Sequence, residues 1–167
     1  YYSPYKSKFP PNKIMDQPIK LQPVVLCGGS GSRLWPLSTK MVPKQFIKIG
    51  ENGTLLEETL RRLKMVMKSC QSNSYETCEP LLIMHKDHKL PVELAEHERN
   101  VIYEIYANDT AVAVARASLE IKKRHNDDQV IMLVLPADHY VENIEAFVYD
   151  IVEGILNVTL DNIVLYG

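Results

Sequence analysis

The sequence predicts an α/β fold, an open and mostly parallel sheet with helices on both faces. Its short apolar runs do not alternate with polar residues, which is typical of strands buried on both faces. The stretches between these runs carry apolar residues at helical spacing. Strands that alternate with helices of about 10–15 residues indicate right-handed βαβ units. The chain has 167 residues, which is enough for one domain of this kind.

Five apolar runs are the expected strands. They cover residues 24–27, 81–84, 101–103, 130–135 and 163–165. A capping box marks the start of the first helix, because Thr54 is followed three residues later by Glu57. The apolar stripe of this helix consists of Leu56, Leu60, Leu63 and Met67.

Two further helices are expected in the second half of the chain. One begins near Asp109, a favourable N-cap residue, and ends with the basic residues 122–124, whose charge suits the negative end of a helix dipole. The apolar face of the other consists of Ile144, Phe147, Val148, Ile151 and Ile155. Residues 1–22 are rich in Pro, Lys and Tyr and are expected to form an irregular arm, which leaves residues 23–167 as the domain.

Composition and charge exclude several classes of function. With 19 Lys and Arg against 21 Asp and Glu, the net charge of −2 offers no uniform attraction to a nucleic acid polymer. The longest apolar run, residues 130–135, is far shorter than the roughly 20 residues that span a bilayer, so we expect no membrane partner. The three cysteines show no CxxC spacing and are expected to be free thiols in a reducing compartment, which predicts a cytoplasmic protein.

A glycine-rich loop follows the first expected strand. The segment CGGSGSRLWPLS, residues 27–38, contains three glycines in four residues, which let the backbone approach a ligand closely and point N–H groups at phosphate oxygens. Arg33 adds a guanidinium group suited to phosphoryl oxygens. The loop is neither a Walker A loop, which requires Gly-Lys-Ser/Thr, nor a dinucleotide fingerprint, which requires glycine at Leu34. A tight glycine turn without a ligand is the structural alternative.

Two charged residues are candidates to join this loop. Lys44, in the segment PKQF, is either a second phosphate-binding cation or a solvated surface charge. Asp138 follows the strand at residues 130–135 and is either a metal ligand or a loop or N-cap residue. If this strand neighbours the first strand where the winding direction reverses, the glycine loop and Asp138 open into one crevice. Asp138 would then suit Mg²⁺ carried on nucleotide phosphates.

We assign structural roles to other residues whose side chains could bind a metal ion or a nucleotide base. The histidines His85, His88 and His97 have no adjacent cysteine, so we interpret them as surface histidines rather than zinc ligands. Trp35 and Phe46 are interpreted as apolar anchors of the glycine loop rather than as platforms on which a base stacks.

Three segments in order, GGSGSRLWPLS, PKQF and LVLPADH, closely resemble the sugar-1-phosphate nucleotidyltransferases, specifically the bacterial mannose-1-phosphate guanylyltransferases. The resemblance runs from about Pro23 to the end of the chain. It implies a Rossmann-like, GT-A-like fold and a Mg²⁺-dependent reaction. In that reaction the phosphate of mannose 1-phosphate attacks the α-phosphorus of GTP, which yields GDP-mannose and pyrophosphate.

The resemblance also implies residue roles. Arg33, Lys44 and Asp138 would be catalytic, and Asp138 would hold the metal. The residues implied to bind the nucleotide are Gly28, Gly29, Ser30, Gly31, Ser32, Arg33, Asp109 and Thr110. The family usually has Thr at Ser32 and Ala at Cys27, which are mild changes. Residues 107–109, Ala-Asn-Asp, replace Gly-Arg-Asn of the family, a departure that concerns the base and the sugar rather than the phosphate chemistry.

Catalytic domains of this family continue for well over a hundred residues beyond the matching region. We therefore expect the chain to be the N-terminal part of a longer enzyme or a shortened relative, active within a longer chain or an assembly such as a homo-oligomer. A nucleotide-binding or regulatory module without transferase activity is the alternative, and a structural remnant is a third. GTP or another NTP, and mannose 1-phosphate or a related sugar phosphate, are the expected small-molecule partners.

Overall fold

The computed structural model describes residues 18–29, 31, 34–39, 42–48, 53–106, 109–126, 129–159 and 162–166. Within these ranges five strands form one sheet: β1 Lys20–Cys27, β2 Glu76–Thr77, β3 Leu81–His85, β4 Val101–Glu104 and β5 Val130–Pro136. Each strand pairs in parallel with its neighbours. The predicted fold class, a parallel sheet covered by helices, is therefore confirmed.

Three α-helices connect and follow these strands in the described ranges: α1 Leu55–Gln71, α2 Thr110–His125 and α3 Ile144–Asn157. The predicted capping box opens α1, because the Glu57 amide donates to Thr54 Oγ1 at 3.2 Å and the Thr54 amide donates to Glu57 Oε2 at 2.6 Å. Asp109 is the N-cap of α2, although its side chain makes no capping hydrogen bond. The three predicted helix positions are confirmed.

The helices form one layer on each face of the sheet. Helices α1 and α3 cover one face of the sheet, and α2 covers the other. On the first face the buried helical side chains are Leu56, Leu60, Leu63, Val66, Cys70, Ile151 and Ile155. On the second face α2 contributes Ala113, Ala117 and Ile121.

The direction of winding reverses between β1 and β5. From β1 the chain moves outward through β3 to β4, and α2 then returns it to the other side of β1. The register of β1 with β5 runs from Lys20 opposite Val130 to Leu26 opposite Pro136. The predicted adjacency of these two strands is confirmed. Their carboxyl ends lie at the same edge of the sheet, where open α/β sheets bind ligands.

Some predicted boundaries were wrong. Residues 163–165 form no strand, and Ile163 and Leu165 are 87% exposed. Their segment lies along α3 instead, because the Tyr166 hydroxyl donates to the Ile151 carbonyl at 3.0 Å. Strand β1 begins at Lys20, so residues 20–22 belong to the sheet rather than to the predicted arm. Residues 1–17 of that arm lie outside the described ranges.

The prediction at residues 163–165 failed because an apolar run becomes a strand only when a neighbouring strand accepts its backbone hydrogen bonds. The short strand β2 was missed for the converse reason, since pairing with Lys20 and Leu21 forms it without any apolar run. No helix within the described ranges is both long enough and apolar enough to cross a membrane.

Candidate functional site

The glycine loop leaves the sheet at the end of β1, and Lys44 packs directly against it. Gly29 has a positive φ of 102°, a conformation that glycine adopts without steric cost. A Cβ atom at Gly29 would lie 3.2 Å from Lys44 Cε and 3.4 Å from its Nζ. At Gly31, with φ of 65°, a Cβ atom would lie 3.0 Å from the Cβ atoms of both Lys44 and Ser38. A side chain at either position would crowd Lys44, so the glycines allow the lysine to pack closely against the loop.

Lys44 is held in place by its neighbour Gln45. Both residues belong to a short 3₁₀ turn, Lys44–Phe46, in which Gln45 is fully buried. The Gln45 Nε2 group donates to the carbonyl of Cys27, the last residue of β1, at 3.0 Å. The segment that carries Lys44 is thus attached to the strand from which the glycine loop emerges.

His88 supports the same attachment from the loop after β3. Its Nδ1 atom lies 3.3 Å from Gln45 Nε2. Burial, and then the nearby His85, lowers the pKa of His88 below its usual value of 6.5. A neutral ring suits this contact, because an unprotonated Nδ1 accepts from the amide whereas a protonated one would oppose it. In the described part of the chain, no group of three or more His, Cys, Asp and Glu side chains could hold a metal ion.

The interpretation of the histidines as surface residues was wrong for His97. His97 is 5% exposed, whereas His85 and His88 are partly exposed.

Asp138 approaches the same place from β5. The Ala137 amide donates to the Leu26 carbonyl at 3.1 Å, which continues the pairing of β5 with β1 to the residue before Asp138. The Asp138 side chain then contacts Lys44, with Nζ of the lysine donating to Oδ2 of the aspartate. Each of these side chains is about 24% exposed, so the pair is accessible from solvent.

Cys27 lies beneath this ion pair and is chemically inert. It is fully buried, and burial followed by the charge of Asp138 raises the pKa of its thiol. A thiol that stays protonated is a poor nucleophile and a poor metal ligand. All three cysteines lie in the described ranges, and none of them forms a disulfide.

The structure brings together some of the predicted site residues. Gly29, Gly31, Lys44 and Asp138 meet at the carboxyl ends of β1 and β5, and Gly28 precedes them in the loop. Ser30, Ser32 and Arg33 lie outside the described residues. Asp109 and Thr110 are exposed at the start of α2, beyond β4, and no hydrogen bond or ion pair among the described residues joins them to Lys44 or Asp138.

The two predicted apolar anchors behave differently. Phe46 packs against the buried cluster on the α1 and α3 face, as predicted. Trp35 is 76% exposed, so its assignment as an anchor was wrong. Hydrophobicity alone does not place a loop side chain, because the backbone of the loop decides which way it projects.

Two polar residues of this edge were missed by the sequence analysis. Gln45 carries the attachment described above, and the only sequence feature that marks it is its place beside Lys44 in the segment PKQF. Glu104, the last residue of β4, is 5% exposed, and its Oε1 atom has no hydrogen-bond partner among the residues that the structure describes. No pattern in the sequence indicates that this glutamate is buried.

A parallel α/β sheet with a glycine loop, a lysine and a carboxylate at its reversal point defines a class of proteins that bind phosphorylated ligands at the carboxyl ends of their strands. The chain belongs to the nucleotidyl transferase family, whose model matches residues 22–159. That match contains the glycine loop, Lys44 and Asp138.

The similar proteins reported below all carry names of transferases of mannose 1-phosphate. The chain is 36% identical over 152 residues to a mannose-1-phosphate guanylyltransferase of Escherichia coli, covering 88% of this chain and 31% of that protein. It is 41% identical over 133 residues to the mannose-1-phosphate guanylyltransferase ManC of Salmonella typhimurium, covering 77% and 26%. A crystal structure described as a mannose-1-phosphate geranyltransferase from Thermus thermophilus superposes with a TM-score of 0.59 at 32% identity, covering 82% and 36%. The chain thus spans about a quarter to a third of the curated relatives it matches.

Proposed function

We propose that this chain forms the nucleotide-binding part of an enzyme that transfers a guanylyl group from GTP to mannose 1-phosphate. The products are GDP-mannose and pyrophosphate. The observation that carries the proposal is the contact of Lys44 with Asp138 beside Gly29, at the reversal point of the sheet. Sugar-phosphate nucleotidyl transfer is supported by the family match, and the choice of GTP and mannose by the names of the relatives.

The proposed site acts by positioning and by neutralising charge. A phosphate oxygen of mannose 1-phosphate attacks the α-phosphorus of GTP, and the bond from that phosphorus to the pyrophosphate breaks. The glycine loop lets backbone N–H groups approach the phosphates, and Lys44 offsets the negative charge that collects on the leaving pyrophosphate. Such reactions need no covalent intermediate with the protein, because alignment and electrostatic stabilisation supply most of the rate. Arg33 stays a predicted second cation.

Asp138 is the residue proposed to hold Mg²⁺. This ion typically takes one or two protein carboxylates and completes its coordination with phosphate oxygens and water. A single, partly exposed carboxylate beside a phosphate-binding loop therefore fits the requirement. Bound there with the nucleotide, Mg²⁺ would supply additional charge neutralisation. Lys44 now donates to Asp138 Oδ2, so the lysine must leave that oxygen before it can serve the phosphates.

The test measures nucleotide binding first and transfer second. Calorimetric titration of the chain with GTP, ATP, CTP and UTP, each with and without Mg²⁺, is expected to show the tightest binding for GTP with the metal. Failure to bind any triphosphate would overturn the proposal. A pyrophosphate-release assay then compares mannose 1-phosphate with glucose 1-phosphate, using this chain and the product of the complete gene.

The assay also distinguishes the two hypotheses for the chain, a transferase and a nucleotide-binding module without transfer. Binding without pyrophosphate release, by both this chain and the complete product, would support a nucleotide-binding or regulatory module instead of a transferase. The cytoplasmic location and association into a homo-oligomer stay predictions.

A further inference from the structure

Arg62 is a buried cation at the inner side of the turn that carries Asp138. It belongs to α1 and is 3% exposed. Its Nη2 group donates to Thr59 Oγ1 at 3.0 Å, one turn earlier in the same helix, and to the backbone carbonyl of His139 at 2.9 Å. Its guanidinium carbon lies 5.6 Å from the centre of the Phe147 ring of α3. Arg62 therefore connects both helices of this layer to the segment that follows β5.

Arg62 carries a buried positive charge, which is unusual for a residue that only fills space in the core. Burial lowers the pKa of its guanidinium group, although arginine remains charged in proteins. Among the described residues, both of its hydrogen bonds go to neutral oxygens and its Nε atom is buried without a partner. The charge of Glu58 partly opposes the effect of burial on this pKa. Burying a charge without a contacting carboxylate is costly, and an apolar residue of similar size would pack here without that cost.

The contacts of Arg62 place it beside Asp138 in a specific way. On one side of the aspartate, the Ala137 amide is bound to the carbonyl of Leu26 in β1 at 3.1 Å. On the other side, the carbonyl of His139 is bound to Arg62. The backbone on each side of Asp138 is thus fixed to a different layer of the fold, the sheet and α1. These two attachments hold the backbone from which the Asp138 side chain projects.

We infer that Arg62 is a positioning residue, which holds the turn after β5 so that the carboxylate of Asp138 faces Lys44 and the glycine loop. Its effect on ligands rests on the proposed function, because it acts through Asp138. Its effect on the turn does not depend on the proposed function and can be measured without any ligand.

The first measurement is amide hydrogen exchange in the chain without ligand. In Arg62→Met, exchange at Ala137 and in the following turn is expected to rise by about tenfold or more, because a hydrogen bond from a charged donor is lost. The amides of Val25 and Leu82, in the centre of the sheet, report global unfolding. Arg62→Lys, which keeps the charge and much of the length, is expected to recover part of the protection.

Two further variants separate the role of Arg62 from general changes to α1. Arg61→Met is the matched control, because Arg61 is the neighbouring arginine, its side chain is 51% exposed and it pairs only with Glu58 of the same helix in the described structure. It should leave exchange in the turn unchanged. Thr59→Val removes the oxygen that orients Arg62 without removing the charge, and should raise exchange in the turn less than Arg62→Met does.

The second measurement is the increase in GTP affinity that Mg²⁺ produces. Arg62→Met should reduce this increase by about tenfold while leaving metal-free binding nearly unchanged, because the glycine loop and Lys44 remain. A role in folding alone would lower both affinities together and leave their ratio unchanged.

The outcomes distinguish the two proposals. If exchange in Arg62→Met rises equally at Ala137, Val25 and Leu82, or not at all at Ala137, Arg62 does not position the turn. If exchange rises selectively but the wild-type chain binds no nucleotide, the positioning role stands and the proposed function fails. If exchange rises selectively and the Mg²⁺-dependent increase is retained, Arg62 positions the turn without influencing the metal, which would overturn the inference about the carboxylate.

Discussion

Two corners of the carboxyl edge of the sheet each carry an acidic residue, and the two residues differ in exposure and in their partners. At the β1–β5 corner, formed by the ends of those two strands, Asp138 is partly exposed and paired with Lys44. At the β3–β4 corner, Glu104 is 5% exposed, and one of its oxygens lacks a partner. Both residues follow or end an apolar strand, so the local sequence does not distinguish them.

The difference follows from topology. The β1–β5 corner lies where the order of the strands reverses, which is where open α/β sheets bind ligands, and the Lys44–Asp138 pair is accessible there. The β3–β4 corner lies away from this reversal, at the outer end of the described sheet, and Glu104 is covered there. A charged side chain is available to a ligand at the first corner and is enclosed at the second. The following predictions, from the largest expected effect to the smallest, test this contrast.

Lys44→Met is expected to have the largest effect. Loss of the cation should weaken GTP binding by about 1–3 kcal/mol, because a charged hydrogen-bond donor to phosphate is removed. The free energy of unfolding should change by less than about 1 kcal/mol, since the pair with Asp138 is partly solvated. Calorimetric titration and chemical denaturation measure the two quantities.

Lys48→Met is the matched control for this variant. Lys48 lies four residues further along the chain and is exposed. Its loss should leave GTP affinity unchanged. Equal weakening by both lysine variants would indicate a general charge effect and would contradict a specific role for Lys44.

Asp138→Asn is expected to change GTP binding in two opposite ways. The Mg²⁺-dependent part of the affinity should disappear, because the carboxylate proposed to hold the ion is gone. Metal-free affinity should rise by up to about tenfold, because the variant removes a negative charge near the phosphates and releases Lys44. Titrations with and without Mg²⁺ test both effects, and a metal dependence that survives would show that Asp138 has only a structural role.

Glu104→Gln should leave GTP affinity unchanged. The free energy of unfolding should stay the same or rise by about 1 kcal/mol, because the variant removes a buried charge that lacks a full set of partners. Denaturation and titration of the variant provide the measurement. Weaker GTP binding would mean that the β3–β4 corner also contacts the nucleotide. The two corners would then differ in which atoms of the ligand they contact, and not in whether a ligand can reach them.

The smallest expected effect is a dependence of stability on pH through His88. Its pKa is lowered in the folded chain, so between its usual value of 6.5 and the lower folded value the unfolded chain binds more protons. Stability should therefore fall as the pH drops below the usual value of 6.5 toward the lower folded pKa. His88→Gln, which keeps an acceptor for Gln45 but does not titrate, should show a shallower fall in denaturation experiments at matched pH. An identical pH profile would exclude His88 as a source of the dependence.

Much of the fold could be predicted from the sequence because the features that define it are local. A capping box and a stripe at helical spacing place α1, and non-alternating apolar runs mark β1, β3, β4 and β5. The run at residues 163–165 shows the limit of this reasoning. Its composition is that of a strand, yet Ile163 and Leu165 are exposed, because no partner strand accepts the backbone within the described ranges.

The candidate site also has features that the sequence predicts and features that it does not. The residue types, glycines, a lysine and an aspartate, could be selected from the sequence because phosphate and Mg²⁺ need such groups. The burial of Gln45 and the contact of Arg62 with His139 could not, since these interactions join residues far apart in the chain, 77 positions in the second case. The exposed side chain of Trp35 was equally unpredictable, because a loop backbone decides its direction.

By itself, the sequence determined the kind of chemistry this protein can offer and the elements that carry it, since both depend on residue type and on spacing within a few turns of chain. Only the tertiary structure decided that Lys44 reaches Asp138 across 94 positions while Glu104 stays enclosed. The reason is that the order and direction of the strands, which no short segment encodes, set which ends meet and which of them remain open to a ligand.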